Sequence, residues 1–91
     1  VFSFMECFHM VNCVFFTSNS VPKGYILGQS KMPAAPNVGD IVMPAEQEQR
    51  WRTVAQLPDN VASWTWEVVR VVHVLGRNDI GVYVAPVQLS E

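Results

Sequence analysis

Charge is what this chain has least of: only 15% of its 91 residues are Asp, Glu, Lys or Arg, against roughly 25% in an average soluble domain. A domain of this size removes only about 60–65% of its unfolded surface from water. So few charges cover the remainder poorly, which suggests that part of the surface lies in a subunit interface. Six Lys and Arg against eight Asp and Glu leave a formal net charge of −2. Nucleic acid and anionic membranes usually recruit a basic patch, so neither is expected as a partner.

Cysteine is nearly missing too. Cys7 and Cys13 are the only two and do not make the framework of a secreted, disulfide-stapled domain. Free thiols in a reducing cytoplasm are expected. No Lys or Arg precedes Lys23, whereas a secretory signal begins with a basic n-region. Glu6, His9 and Asn12 interrupt the apolar start, and a membrane span needs about 20 largely apolar residues. The segment reads as neither. Phosphate loop, HExxH, nucleophile elbow and paired-carboxylate spacing are all absent from the sequence, which leans against an enzyme. Without repeats, low-complexity tracts or charge blocks, residues 1–91 read as one domain.

What is present is β-structure. Trp64 to Val84 runs W-T-W-E-V-V-R-V-V-H-V-L-G-R-N-D-I-G-V-Y-V. Val and Trp suit a pleated surface, and Gly76, Arg77, Asn78 and Asp79 supply turn chemistry between two strands. A regular strand from Trp64 would embed Arg70 in an apolar row. A single β-bulge near Val69-Arg70 instead aligns Trp64, Trp66, Val68, Val71, His73 and Leu75 and turns Arg70 outward.

Upstream, Val1 to Thr17 is rich in Phe, Val, Met and Cys and reads as β, bent or bulged midway. Ser18 to Gly24 is a turn, and Tyr25-Ile26-Leu27 a short strand ending at Gly28. Gln29 to Asp40 holds two prolines that favour extended backbone, giving a connector closed by the turn Asn37-Val38-Gly39-Asp40. Ile41 to Met43 is the next strand. Ala45 to Leu57 is rich in helix formers, with Pro44 at the helix start and Pro58 beyond its end. Trp51, Val54 and Ala55 form its buried face. The competing reading makes Arg50 to Leu57 a strand, with Trp51, Thr53, Ala55 and Leu57 on one side.

The pattern Pro36-x-x-Gly39-Asp40-x-Val42, then Trp66-x-Val68-x-x-Val71-x-His73, then a closing strand, resembles small β-barrel proteins encoded on mobile integron gene cassettes. The resemblance covers roughly residues 36–85 and leaves the N-terminal region unmatched. The insert from Ala45 to Leu57 is longer than the short turn in that place. What the resemblance implies is a compact SH3-like barrel, often self-associating, with no catalytic residues to carry over.

Candidate chemistry is sparse. Cys7, His9 and Cys13 share a strand parity, and thiolate with imidazole suits zinc, but a structural site needs four ligands; neither metal nor cofactor is expected. A nucleophilic pair of Cys7 or Cys13 with His73 needs an electropositive niche, and Phe8, Met10, Val14 and Phe15 make it apolar. His73 reads as a structural residue with Asp40 as a possible partner, though Asp40 equally caps its own turn. Trp51 and Trp66 read as core, while Trp64, Tyr25 and Tyr83 suit an aromatic groove for a peptide, a small ligand or single-stranded nucleic acid.

The expected molecule is mainly β: a small SH3-like or partly open barrel of five or six strands with one short helix. It is expected to act as a non-enzymatic binding module and a homo-oligomer, taking a peptide or small molecule at Trp64, His73 and Tyr83. The alternative is a small-molecule-binding barrel, conceivably an enzyme, with His73 and the tryptophans lining a pocket. Self-association is expected through Val1–Phe16, first as a two-fold dimer in which this apolar strand pairs with its symmetry mate or is exchanged between subunits.

Overall fold

The computed structural model describes residues 10–18, 24–58, 60 and 64–88. They form five strands, β1 (Val11–Thr17), β2 (Ile26–Met32), β3 (Ile41–Val42), β4 (Trp64–His73) and β5 (Asp79–Gln88), and one helix, α1 (Glu48–Val54). The strands make one mixed sheet in the order β2-β1-β5-β4-β3, curled into a half-barrel. β1 runs parallel to β5, and every other neighbouring pair is antiparallel. The fold is thus mainly β with one short helix.

β1 lies inside the sheet, with β2 on one side and β5 on the other. That corrects the expected pairing of Val11–Phe16 with a symmetry mate, because both edges of this strand are already hydrogen-bonded. The earlier part of that segment, with Cys7 and His9, lies outside the described residues. Along β1, Cys13, Phe15 and Thr17 are buried and alternate with half-buried Val14 and Phe16, the period of two that a pleated strand imposes. The inner row joins Trp66 and Val68 of β4 and Ile80, Val82 and Val84 of β5 in one core.

The bulge in β4 is present. Val68 pairs with Val84 and Arg70 with Tyr83, leaving Val69 without an opposite number. Arg70 consequently lies over the outer face, its guanidinium 5.4 Å from the Tyr83 ring centroid, while Val71 packs against the core. A second bulge falls in β2, where Phe15 pairs with Gly28 and Phe16 with Ile26. The extra residue, Leu27, is fully buried.

β2 does not end at Gly28. It continues through Gln29, Ser30 and Lys31 to Met32, so the first part of the expected connector is a polar strand at the sheet edge. The turn at Asn37–Asp40 is as expected: Asp40 N–H donates to the Asn37 carbonyl at 3.0 Å, and Gly39 has φ +98°. A positive φ at the third position of such a turn is what favours glycine there.

α1 is shorter than Ala45–Leu57. Pro44 lies in the preceding turn, its carbonyl accepting the Gln47 N–H at 2.9 Å. Trp51 and Ala55 are buried and Val54 packs beside them, so helical spacing prevails over the strand alternative. Beyond Val54 the chain closes with Gln56 N–H on the Thr53 carbonyl and Leu57 N–H on the Arg52 carbonyl. Gln56 there takes the left-handed φ of 59°, the paired-bond ending known as the Schellman motif. Among the described residues no helix is long and apolar enough to cross a membrane.

Candidate functional site: a cleft on the open side of the half-barrel

Among the described residues, β2 and β3 are the two edges of the sheet. Residues 33–40 cross from one to the other, and α1 packs against β2. Between these crossings lies a cleft of about 370 Å³, within the size range of small-ligand pockets. Phe15 and Trp51 line its floor, Ser30 and Met32 the β2 side, Val42 and Met43 the β3 side, and Gln47 the helix side. The floor is rigid aromatic packing: Phe15 and Trp51 have centroids 5.3 Å apart, and Trp51 meets fully buried Trp66 edge-on at 5.2 Å.

Gln47 is the oriented polar group of this cleft. Its Oε1 accepts the Trp51 indole N–H at 3.2 Å. An indole nitrogen only donates, so the carboxamide cannot flip without losing that bond. Its Nε2 is therefore the group left over, a hydrogen-bond donor beside an apolar floor. The side chain lies over Gly28, where any Cβ would stand 2.5 Å from Oε1.

The β2 edge beside the cleft also has backbone groups with no partner among the described residues. Thr17 N–H donates to the carbonyl of Tyr25, just before β2, whereas Asn12 and Ser18 donate to Asn78 and Val84 on the β5 side. Odd residues of β1 therefore face β2. Their register partners Gly28, Ser30 and Met32 turn back toward β1, and by alternation Gln29 and Lys31 turn N–H and C=O outward. Arg50 closes one end of this edge, its Nε donating to the Leu27 carbonyl at 2.8 Å.

The three residues expected to bind ligand do not converge. Trp64 begins β4, half-buried on the same side as Trp66, and its indole N–H is buried with no partner among the described residues. His73 ends the same strand, exposed, on the order of 30 Å away along it. Tyr83 sits on the outer face, stacked on Phe16 at 5.0 Å. Tyr25, just before β2, is 59% exposed. Trp51 and Trp66 are core, as expected.

The His73 side chain is exposed and has no hydrogen-bond partner among the described residues. The Asp40 carboxylate instead accepts the Asn37 N–H at 2.8 Å, capping its own turn. Cys13 and His73 both pair with Ile80, from opposite sides. That row sets their backbones two strand spacings apart, about 9.5 Å, beyond reach of a thiol–imidazole bond. Cys13 is fully buried, and burial pushes its thiol up from the ordinary 9.0, the opposite of nucleophile activation. Among the described residues no three His, Cys, Asp or Glu side chains cluster as metal ligands would.

Ser30, Met32, Gln47 and the β2 edge were not singled out from sequence. The available signal was Gly28 followed by Gln29-Ser30-Lys31, a glycine where another element approaches closely and then a polar edge. Comparison with family models, with curated proteins and with solved structures finds no match to this chain.

Proposed function

We propose that this protein is a non-enzymatic binding module, acting in the cytoplasm as a homo-oligomer, whose ligand site is the cleft between β2 and β3. The observation that carries this reading is the pairing of an apolar floor, Phe15 and Trp51, with one fixed donor, Gln47 Nε2. Ligand pockets commonly combine apolar walls with a few placed polar groups that fix orientation. The complementary ligand is an apolar group that also carries a hydrogen-bond acceptor. Among the described residues the only charged side chain lining the cleft is Glu46, which disfavours an anion seated in it.

The homo-oligomer is supported by the outer face. Val14 and Phe16 of β1 lie beside Tyr83 of β5 and Val72 of β4, a half-buried apolar and aromatic patch with Arg70 over the Tyr83 ring. Paucity of charge overall agrees with this, as does the resemblance to self-associating integron-cassette barrels.

The test is a set of small aromatic and aliphatic amides added to ¹⁵N-labelled protein. Cross-peaks of Phe15, Ser30, Val42 and Gln47 should move together, and Ser30→Phe, which fills the cleft, should abolish the response. Shifts confined to the Phe16–Tyr83 face, or surviving Ser30→Phe, would place the ligand site elsewhere.

A further inference from the structure

We infer that the ligand of this cleft is an extended peptide segment that adds to β2 as a sixth strand. It would lay one uncharged apolar side chain on the Phe15–Trp51 floor. The inference rests on the cleft being the ligand site and goes further by naming what enters it. Three features of the structure lead to it.

First, among the described residues the only long free edge is β2. β3 has two residues, whereas β2 has seven, and its outward groups at Gln29 and Lys31 border the cleft. Gln29 itself lines it. A strand laid antiparallel along this edge bonds to Gln29 and Lys31 through the two residues opposite them. The residue between those two stands opposite Ser30. Directly opposed residues share a face, and Ser30 lines the cleft, so that middle side chain points onto the aromatic floor. Edge and cleft are therefore in phase: the pairing that satisfies the backbone is the one that fills the cavity.

Second, the polar group on the far wall is a donor. Gln47 Nε2 suits a peptide carbonyl, and its orientation is fixed by Trp51.

Third, the charges bracket the edge. Arg50 reaches the Leu27 carbonyl at one end, and exposed Lys31 lies near the other, so acidic residues two positions either side of the apolar one complement it. Glu46 on the cleft wall excludes an acid from the central position. Arg50 also marks where pairing stops, because it has already taken the next outward carbonyl.

The probes are acetyl-Phe-N-methylamide, which can only fill the cleft, and acetyl-Asp-Thr-Phe-Thr-Asp-amide, which can also pair. Titrations on the full chain are read by ¹⁵N–¹H shifts, Trp fluorescence and amide hydrogen exchange. The pentapeptide should bind at least about tenfold tighter than the capped amino acid, as two or more added hydrogen bonds would give. It should also slow exchange at the Gln29 and Lys31 amides. N-methylation of both Thr nitrogens, which face β2, should remove that gain. N-methylation of the Phe nitrogen, which faces solvent, should not.

A pentapeptide no tighter than the capped amino acid would sink strand addition while leaving the cleft as a ligand site. So would equal losses from the two methylation patterns. If neither probe moves Phe15, Ser30 or Gln47, both readings fall. Protection of Gln29 and Lys31 in the free protein, together with a dimer by light scattering, would mean that a second copy already holds the edge, and would overturn the peptide assignment.

Discussion

The Gln47 carboxamide occupies the space that a side chain at Gly28 would need: a Cβ there would lie 2.5 Å from Gln47 Oε1 and 3.4 Å from Trp51 Nε1. Gly28 has no positive φ, so the constraint there is close approach of the Gln47 carboxamide rather than backbone freedom. Gly28→Ala should push Gln47 aside and strand the Trp51 N–H, since an unsatisfied buried donor costs about 1–3 kcal/mol. Gln47→Ala removes the same acceptor. In urea unfolding the two losses should fail to add, because one bond cannot be lost twice. Additive losses would show that glycine and glutamine are not coupled.

Trp66 and Trp64 share a face of β4 but differ in depth. Trp66 is 0% exposed and packs on Trp51, whereas Trp64 sits half-buried at the strand start. Truncating a buried Trp costs about 3–5 kcal/mol, a large share of the 5–15 kcal/mol typical of a domain. Trp66→Ala should leave little folded protein at room temperature. Trp64→Ala should remain folded, because it removes less packing from a half-buried site. Equal melting losses for the two variants would contradict this.

Much of the fold is legible in the residues because polarity conflicts expose the geometry. Arg70 amid valines could face solvent only if the strand gained a residue, and the bulge lies there. The helix follows from Ala-Glu-Gln-Glu-Gln-Arg and the Trp51–Ala55 spacing. The Leu27 bulge escapes such reading, since Tyr25-Ile26-Leu27 is apolar throughout and no register is visibly wrong. Gln29-Ser30-Lys31 reads as connector because an edge strand and a loop can have the same composition. For the site the obstacle is distance. Periodicity gives Trp64 and His73 a common face but not their separation at opposite ends of ten residues. The cleft depends on β2 and β3 being opposite edges, and no local pattern encodes that topology.

Cys13 should make stability depend on pH in the alkaline range. Burial raises its folded pKa above the ordinary 9.0, so the unfolded chain releases the thiol proton first. The contribution is fully present below the unfolded value and is lost as pH rises through the folded one. In a Cys7→Ser background, unfolding free energy should hold steady on this account up to about pH 8 and fall above about pH 9. Cys13→Ala should flatten that decline. Iodoacetamide should modify Cys13 only after unfolding. Rapid native-state alkylation near neutrality would mean that the thiol is accessible.

Gln56 holds a left-handed φ of 59° at the end of α1. That conformation costs a non-glycine residue roughly 1–2 kcal/mol, while glycine gives back about 0.5–1 kcal/mol through the greater entropy of its unfolded chain. Gln56→Gly should therefore stabilise by a few tenths to about 1 kcal/mol, a rise of a few degrees in Tm for a chain of this length. Gln56→Val should do the reverse, since β-branching is worst tolerated there. No difference between the two variants would argue that the helix ends otherwise in solution.

Deleting Val69 tests whether the bulge is a register device or a shaping one. Val69 is the residue without a partner between Val68↔Val84 and Arg70↔Tyr83. Without it, Val68 still faces in, Arg70 out and Val71 in, because removing the extra residue restores simple alternation. Pairings on both sides, Trp66↔Pro86 and Val71↔Val82, can then be kept. What is lost is the local twist that a bulge adds, and with it the fit of the turn whose Gly39 N–H donates to the Val68 carbonyl at 2.7 Å. The deletion should fold, keep those cross-strand contacts in NOE spectra, and lose about 1–2 kcal/mol, within the ordinary range for a local backbone change. Inserting an alanine after Val71 keeps the bulge but reverses the facing of Val72 and His73, and it should disturb only the far end of the hairpin. If the deletion variant instead shows Arg70 shielded from solvent, or new pairings upstream of Val68, inward and outward facing do not set the register of β4.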